Sequence, residues 1–161
     1  MEVEVVIKGL TMDPITNMPI VVLRDVEGQR VLPIWVGPSE ANAIALQVEN
    51  VTTPRPMTHD LLRLIITELQ ASVQRVVVTD LKENTFYALI YLQTGGGLVA
   101  VDARPSDAIA LALRAKAPIF VDEEVLTSAR SPEDAPDRAD VDRLQKWLES
   151  LDPDDLGKYK M

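Results

Sequence analysis

Pro38-Ser39-Glu40-Ala41-Asn42-Ala43-Ile44-Ala45-Leu46 and Pro105-Ser106-Asp107-Ala108-Ile109-Ala110-Leu111-Ala112-Leu113 are one pattern written twice, at a constant shift of 67 residues (38 to 105). Each copy opens with a proline suited to the first helical position, then an acid near the positive helix end. Working outward, the same shift carries Gly28 to Gly95, Val31 to Leu98, Leu32 to Val99 and Ile34 to Val101. It also carries Val22-Leu23 to Leu89-Ile90. Two duplicated βββα halves are therefore expected, over about residues 3–50 and 74–116. Ala41, Ala45, Ala108, Ala112 and Ala115 lack bulk, so each repeat helix can approach its neighbour closely.

Strand patterns fill the first half at Glu2–Lys8, Pro19–Leu23 and Arg30–Val36, with a hairpin turn around Glu27-Gly28. Pro33 cannot donate to a ladder, which predicts an edge or a bulge there. The second half reads as strands at Gln74–Asp80, Thr85–Leu92 and Leu98–Ala103. Gly95-Gly96-Gly97 lies between two strands, so it is a hairpin turn and not a phosphate cradle. Thr58 is a good N-cap for a helix inserted between the halves. Its Leu61, Ile65 and Leu69 lie at i, i+4 and i+8, flanked by Leu62 and Ile66, which predicts a well-buried helix. Pro118–Val121 reads as a short strand and Asp122–Ala129 as a short helix. Strands outnumber helices and are joined by tight turns, so the class is α+β with a mostly antiparallel sheet.

The chain has 161 residues, 47% of them hydrophobic and 25% charged, the balance of one soluble globular domain. That domain is expected over residues 1–128, with a solvated linker at 129–140 and an amphipathic tail helix at 141–161. No run approaches the roughly 18 apolar residues of a membrane helix. The segment Met1–Val5 has no basic n-region, so a cytoplasmic protein without a membrane partner is expected. Zero cysteines exclude a disulfide scaffold, a Cys-ligated zinc and a thiol nucleophile. A net charge of −9 repels phosphate backbones at long range, so any nucleic acid must meet a local cationic cluster or a bridging metal. The apolar surplus, with Trp147 and Leu148 on the tail, predicts a homo-oligomer, a dimer favoured.

Three ordered motifs carry a family resemblance: Leu32-Pro33-Ile34-Trp35-Val36-Gly37-Pro38-Ser39-Glu40-Ala41, Arg55-Pro56-Met57-Thr58-His59-Asp60-Leu61-Leu62, and Val101-Asp102-Ala103-Arg104-Pro105-Ser106-Asp107-Ala108 running on through Ala112. With Pro118-Ile119-Phe120-Val121 they closely resemble the bifunctional nuclease family, over roughly residues 1–128. The resemblance implies cleavage of DNA and RNA by a duplicated, β-rich α+β fold that associates as oligomers. The tail from Asp140 to Met161 does not resemble the helical interaction motif that some bacterial members add.

The candidate site residues come from the side chains themselves. A nuclease must activate water, stabilise a charged transition state and help the leaving oxygen depart. Polar groups suited to this gather at Arg55, His59 and Asp60, and at Asp102, Arg104, Ser106 and Asp107. Asp102 and Arg104 lie two apart on a strand end and share a face, with Asp107 following in the first helical turn. By the repeat they stand where Trp35 and Gly37 stand in the first half, so only the second half bears this charged pair. The expected assignment has Asp102 and Asp107 binding a divalent metal, Mg²⁺ or Mn²⁺. Arg55 and Arg104 clamp phosphate, and His59 with Asp60 serves proton transfer.

Each residue also has a plainer reading. Asp107, Glu40 and Asp60 suit helix starts, His59 suits a solvated or capping role, and Asp102 suits an ion pair with Arg104 or Arg55. The competing function is a non-catalytic oligomeric scaffold or regulatory binding module, favoured by the net charge and by the absence of a known nuclease motif. No nucleophile elbow surrounds Ser39 or Ser106, no zinc motif is present, and aromatics at 4% offer no stacking platform for bases.

Overall fold

Valine-rich stretches that break strict alternation decide how the sheet is built. The computed structural model describes residues 1–28 and 30–129. Its elements run β1 (Glu2–Met12), β2 (Pro19–Asp25), β3 (Val31–Trp35), α1 (Pro38–Val48), α2 (Thr58–Glu68), β4 (Ser72–Lys82), β5 (Thr85–Thr94), β6 (Gly97–Ala103), α3 (Pro105–Ala115), β7 (Ile119–Asp122) and α4 (Glu123–Ser128). The α+β class and the mostly antiparallel sheet are as expected. The linker and tail helix expected beyond Ala129 lie outside the described residues.

The strands form a seven-stranded sheet in the order β3-β2-β1-β7-β4-β5-β6. Every neighbouring pair is antiparallel except β4 with β7. In both halves the first strand lies innermost and the third at the edge, and an 11-residue helix follows. This common order is compatible with duplication. β3 is an edge strand, which accommodates Pro33.

Bulges keep the apolar residues on one face. In β4 the register shifts between Val73 and Arg75 and again between Val78 and Asp80. Each extra residue reverses the side-chain parity, so Val73, Val76, Val78 and Leu81 all face the core. A shift between Ile7 and Gly9 does the same for Val5, Ile7 and Leu10. The turn at Glu83-Asn84 has positive φ at both residues, the geometry of a two-residue hairpin. Gly97, at φ +122, closes the β5–β6 turn after Gly95-Gly96 in a conformation that side chains avoid.

α1 and α3 pack against each other and onto this face, and the buried Ala41, Ala45, Ala108 and Ala112 supply the close approach. Ile44, Ile109 and Leu111 fill the layer beneath, each contributing about 1.5–3 kcal/mol of burial.

The inserted helix α2 overturns its expected burial. Leu61 is 51% exposed, Ile65 47% and Leu69 75%, and Leu62 and Leu64 are exposed too. Its inward residues are His59, Asp60, Arg63 and Ile66 instead. α2 rests mainly on α3, whose partners for it are polar, so the leucine stripe faces outward. Among the described residues no helix is long and apolar enough to cross a membrane.

Candidate functional site

Packing α1 against α3 brings two chemically matched helix starts together. Arg104 is the N-cap residue of α3 in extended backbone conformation, and Asp107 follows in the first turn. Arg104 Nε donates to Asp107 Oδ2 at 3.0 Å, and its Nη1 donates to Glu40 Oε1 of α1 at 3.0 Å. Nη2 of Arg104 has no partner among the described residues. Gly37, the N-cap of α1, leaves the Glu40 carboxylate its place, because a Cβ there would run into Oε2.

α2 delivers the fourth member. Its first turn rests on α3, so His59 is 8% exposed and its Nε2 lies 2.9 Å from Asp107 Oδ1. Burial works against the Asp107 charge, but bonds from His59 and Arg104 outweigh it and hold the carboxyl below its ordinary value. An ionised Asp107 only accepts, so the hydrogen of this bond sits on Nε2, and in the neutral ring the lone pair is on Nδ1. Nδ1 has no partner among the described residues, and no buried side-chain nitrogen or oxygen there goes unsatisfied. The Arg104 guanidinium is held above its ordinary value by its bonds to Asp107 and Glu40.

The sign for stability follows from the lowered carboxyl. Asp107 stabilises the fold fully above the unfolded-state value near about 3.9, and that contribution is lost as pH falls through its lower folded value. Asp107→Asn is expected to flatten the acid limb of a pH–stability curve below about pH 4. An unchanged limb would show that the network carries no charge-dependent stability.

The structure brings His59, Asp107 and Arg104 together as one cluster. Asp60 turns the other way, its Oδ1 accepting Arg114 Nε at 2.9 Å and its Oδ2 accepting the Met57 N–H at 2.9 Å. Arg55 is exposed and lines a separate cavity with Asp60, Arg63 and Arg114. Asp102 is brought to none of them. It stands opposite Leu89, which stands opposite Val77, while Val76, Val78, Ala88 and Ile90 form the helix-covered core. Its carboxylate is therefore exposed on the sheet face opposite α1 and α3, without a partner among the described residues. Val101 and Ala103, not Asp102, share the helix side with the Asp107 cluster.

This donor set does not fit the expected Mg²⁺ or Mn²⁺. Among the described residues no three His, Asp or Glu side chains gather to hold a metal ion. Asp102 and Asp107 lie on opposite sides of the sheet, and Arg104 already occupies the space between Asp107 and Glu40.

Two participants escaped the sequence reading. Glu40 was visible as the repeat counterpart of Asp107, and two equivalent helix starts on packed helices signal one shared cation. Arg114, with its side chain 2% exposed, also donates to the carbonyls of Ala110 and Ala43 at 2.8 and 2.9 Å. An arginine in the apolar run Ala108–Ala115 was the available signal, since such a residue must be paired if buried.

A histidine bonded to an ionised carboxylate beside an arginine is an arrangement chemically able to move a proton and to pair with an anion. The family model of the bifunctional nuclease domain matches residues 21–134, and the chain belongs to that family. An uncharacterized protein of Mycobacterium tuberculosis is 41% identical over 95% of this chain and 97% of its own length. Bifunctional nuclease 1 of Arabidopsis thaliana is 30% identical over 65% of this chain and 34% of its own. Bifunctional nuclease 1 of Oryza sativa subsp. japonica is 28% identical over 58% of this chain and 29% of its own. The chain thus spans about a third of the plant relatives' length.

Proposed function

We propose that the protein hydrolyses phosphodiester bonds in DNA and RNA, with little sequence specificity, at the His59–Asp107–Arg104 cluster. The observation that carries this reading is the 2.9 Å bond between His59 Nε2 and Asp107 Oδ1, in a chain of the bifunctional nuclease domain family. Asp107 holds the imidazole so that Nδ1 takes a proton from water as the water oxygen bonds to phosphorus. Arg104 bears the charge that grows on the non-bridging oxygens, using the free Nη2. The imidazolium then returns its proton to the departing oxygen. Glu40 positions Arg104, and Asp60 positions α2 through Arg114. Aromatic residues make up only 4% of the chain, so contact runs through phosphates, which DNA and RNA share.

A second reading has one observation in its favour: Arg104 is committed to carboxylates on both α1 and α3, as a non-catalytic clamp would be. Cleavage of labelled DNA and RNA by purified protein, with Mg²⁺, Mn²⁺ or a chelator, separates the two and reads any metal demand. The face on which Asp102 lies predicts that Asp102→Asn cleaves at the wild-type rate per folded molecule. A tenfold loss would return Asp102 to the site.

The exposed leucines of α2 and the edge of β6, unpaired among the described residues, support a homo-oligomer, with a dimer through α2 as the specific proposal. Light scattering at micromolar concentration is expected to give twice the 17.8 kDa chain mass, and Leu61→Glu with Ile65→Glu to give the monomer. A wild-type monomer would overturn it. Zero cysteines leave no disulfide that would call for an oxidising compartment, and the cytoplasm is the proposed location.

A further inference from the structure

On the other side of the first turn of α2 from the His59 dyad, a cavity of about 370 Å³ opens between the end of α1, the 51–57 connector and α2. Leu46 and Leu64 form part of its apolar lining, and Arg55, Arg63, Arg114 and Asp60 supply the charge. Three arginines and one aspartate line it, in a chain whose net charge is −9.

Arg114 is already committed to Asp60 and two carbonyls, and Asp60 to Arg114 and the Met57 N–H. Arg55 and Arg63 have no ion-pair partner among the described residues. Two arginines without an ion-pair partner on one cavity favour an anion there. Arg55 is also presented on stiff backbone. Pro54 and Pro56 fix their own φ on either side, and Thr53 Oγ1 donates to the Arg55 carbonyl at 2.7 Å. The backbone that carries the guanidinium therefore loses little freedom on binding.

We infer that this cavity binds the phosphate monoester of a nucleotide, with Arg55 and Arg63 as its two clamps and the apolar lining against the sugar. The inference rests on the nuclease reading for one source of that phosphate, the end of a nucleic-acid strand. Asp107 and Arg114 are seven residues apart on α3, about 10 Å along the axis. At a rise of about 3.4 Å per nucleotide, an end phosphate in the cavity puts a linkage within about three nucleotides of that end at His59. The other source is a free nucleoside monophosphate.

Calorimetric titration of the whole chain with inorganic phosphate and with adenosine 5′-monophosphate tests the site without reference to cleavage. Saturable binding is expected, weakened at least tenfold in Arg55→Gln and in Arg63→Gln and retained in His59→Asn. Thermal melts of Arg55→Gln and Arg63→Gln, expected at the wild-type temperature, show that they are folded. Absence of saturable binding, or binding unaffected by both arginine variants, overturns the proposal. The source is read from oligonucleotides with phosphate or hydroxyl ends. Faster cutting of a phosphate-ended strand, releasing a short fragment from that end, supports the strand-end source, and Arg63→Gln should erase the difference. Equal cutting of both overturns that source and leaves the free nucleotide. If arginine-dependent binding persists while the wild-type protein cuts nothing, the nuclease reading and with it the strand-end source fail, and the monophosphate site stands.

Discussion

Replacing His59 with asparagine lowers phosphodiester cleavage by roughly 10²–10⁴-fold, the range spanned by a positioned general base. The expected loss falls on kcat, because the proton moves only as the bond to phosphorus forms. Asparagine keeps a hydrogen-bond donor for Asp107, so the variant stays folded and the rate isolates the chemistry. Single-turnover kinetics on a labelled strand make the measurement. A loss of less than threefold in folded protein would remove His59 from the reaction.

Arg114→Met destabilises the fold by about 3 kcal/mol, the lower end of what breaking a buried ion pair costs. The lower end applies because Asp60 is 26% exposed and water reaches its abandoned oxygen, while the Arg114 side chain is 2% exposed. Methionine keeps most of the volume but none of the three donors that reach Asp60, Ala110 and Ala43. For a chain of this size the loss lowers the melting temperature by roughly 10 °C. Far-UV circular dichroism during heating reads it. A melt within 2 °C of wild type would show that the α1–α2–α3 junction does not depend on this residue.

Why the junction was hard to read lies in particular residues. The Pro-Ser-acid repeat pointed to α1, α3 and two three-stranded units, because helix starts and hairpin turns are local chemistry. The β4 run Gln74-Arg75-Val76-Val77-Val78-Thr79-Asp80 has no clean period, since bulges reset its parity twice. α2 inverted its own pattern. Hydrophobic spacing says which residues share a face, not which face meets the protein, and here the facing surface of α3 carries Asp107 and Arg114. The same blindness separated Asp102 from Asp107. Five residues apart in sequence, they stand on opposite sides of the sheet because strand side chains alternate and Asp102 has the parity of Val77. His59 and Asp107 are 48 residues apart, and only the packing of α2 on α3 joins them.

The most direct test compares wild-type and Asp107→Asn protein on one labelled single strand, made as DNA and as RNA, with Mg²⁺ and with Mn²⁺. Asp107→Asn leaves the shape but removes the charge that fixes the His59 tautomer and holds Arg104. The expected result is cleavage of both strands by the wild type and a fall of at least 10²-fold on both for the variant. Equal rates for the two proteins, or no cleavage by the wild type with either ion, would contradict a phosphodiesterase centred on this cluster.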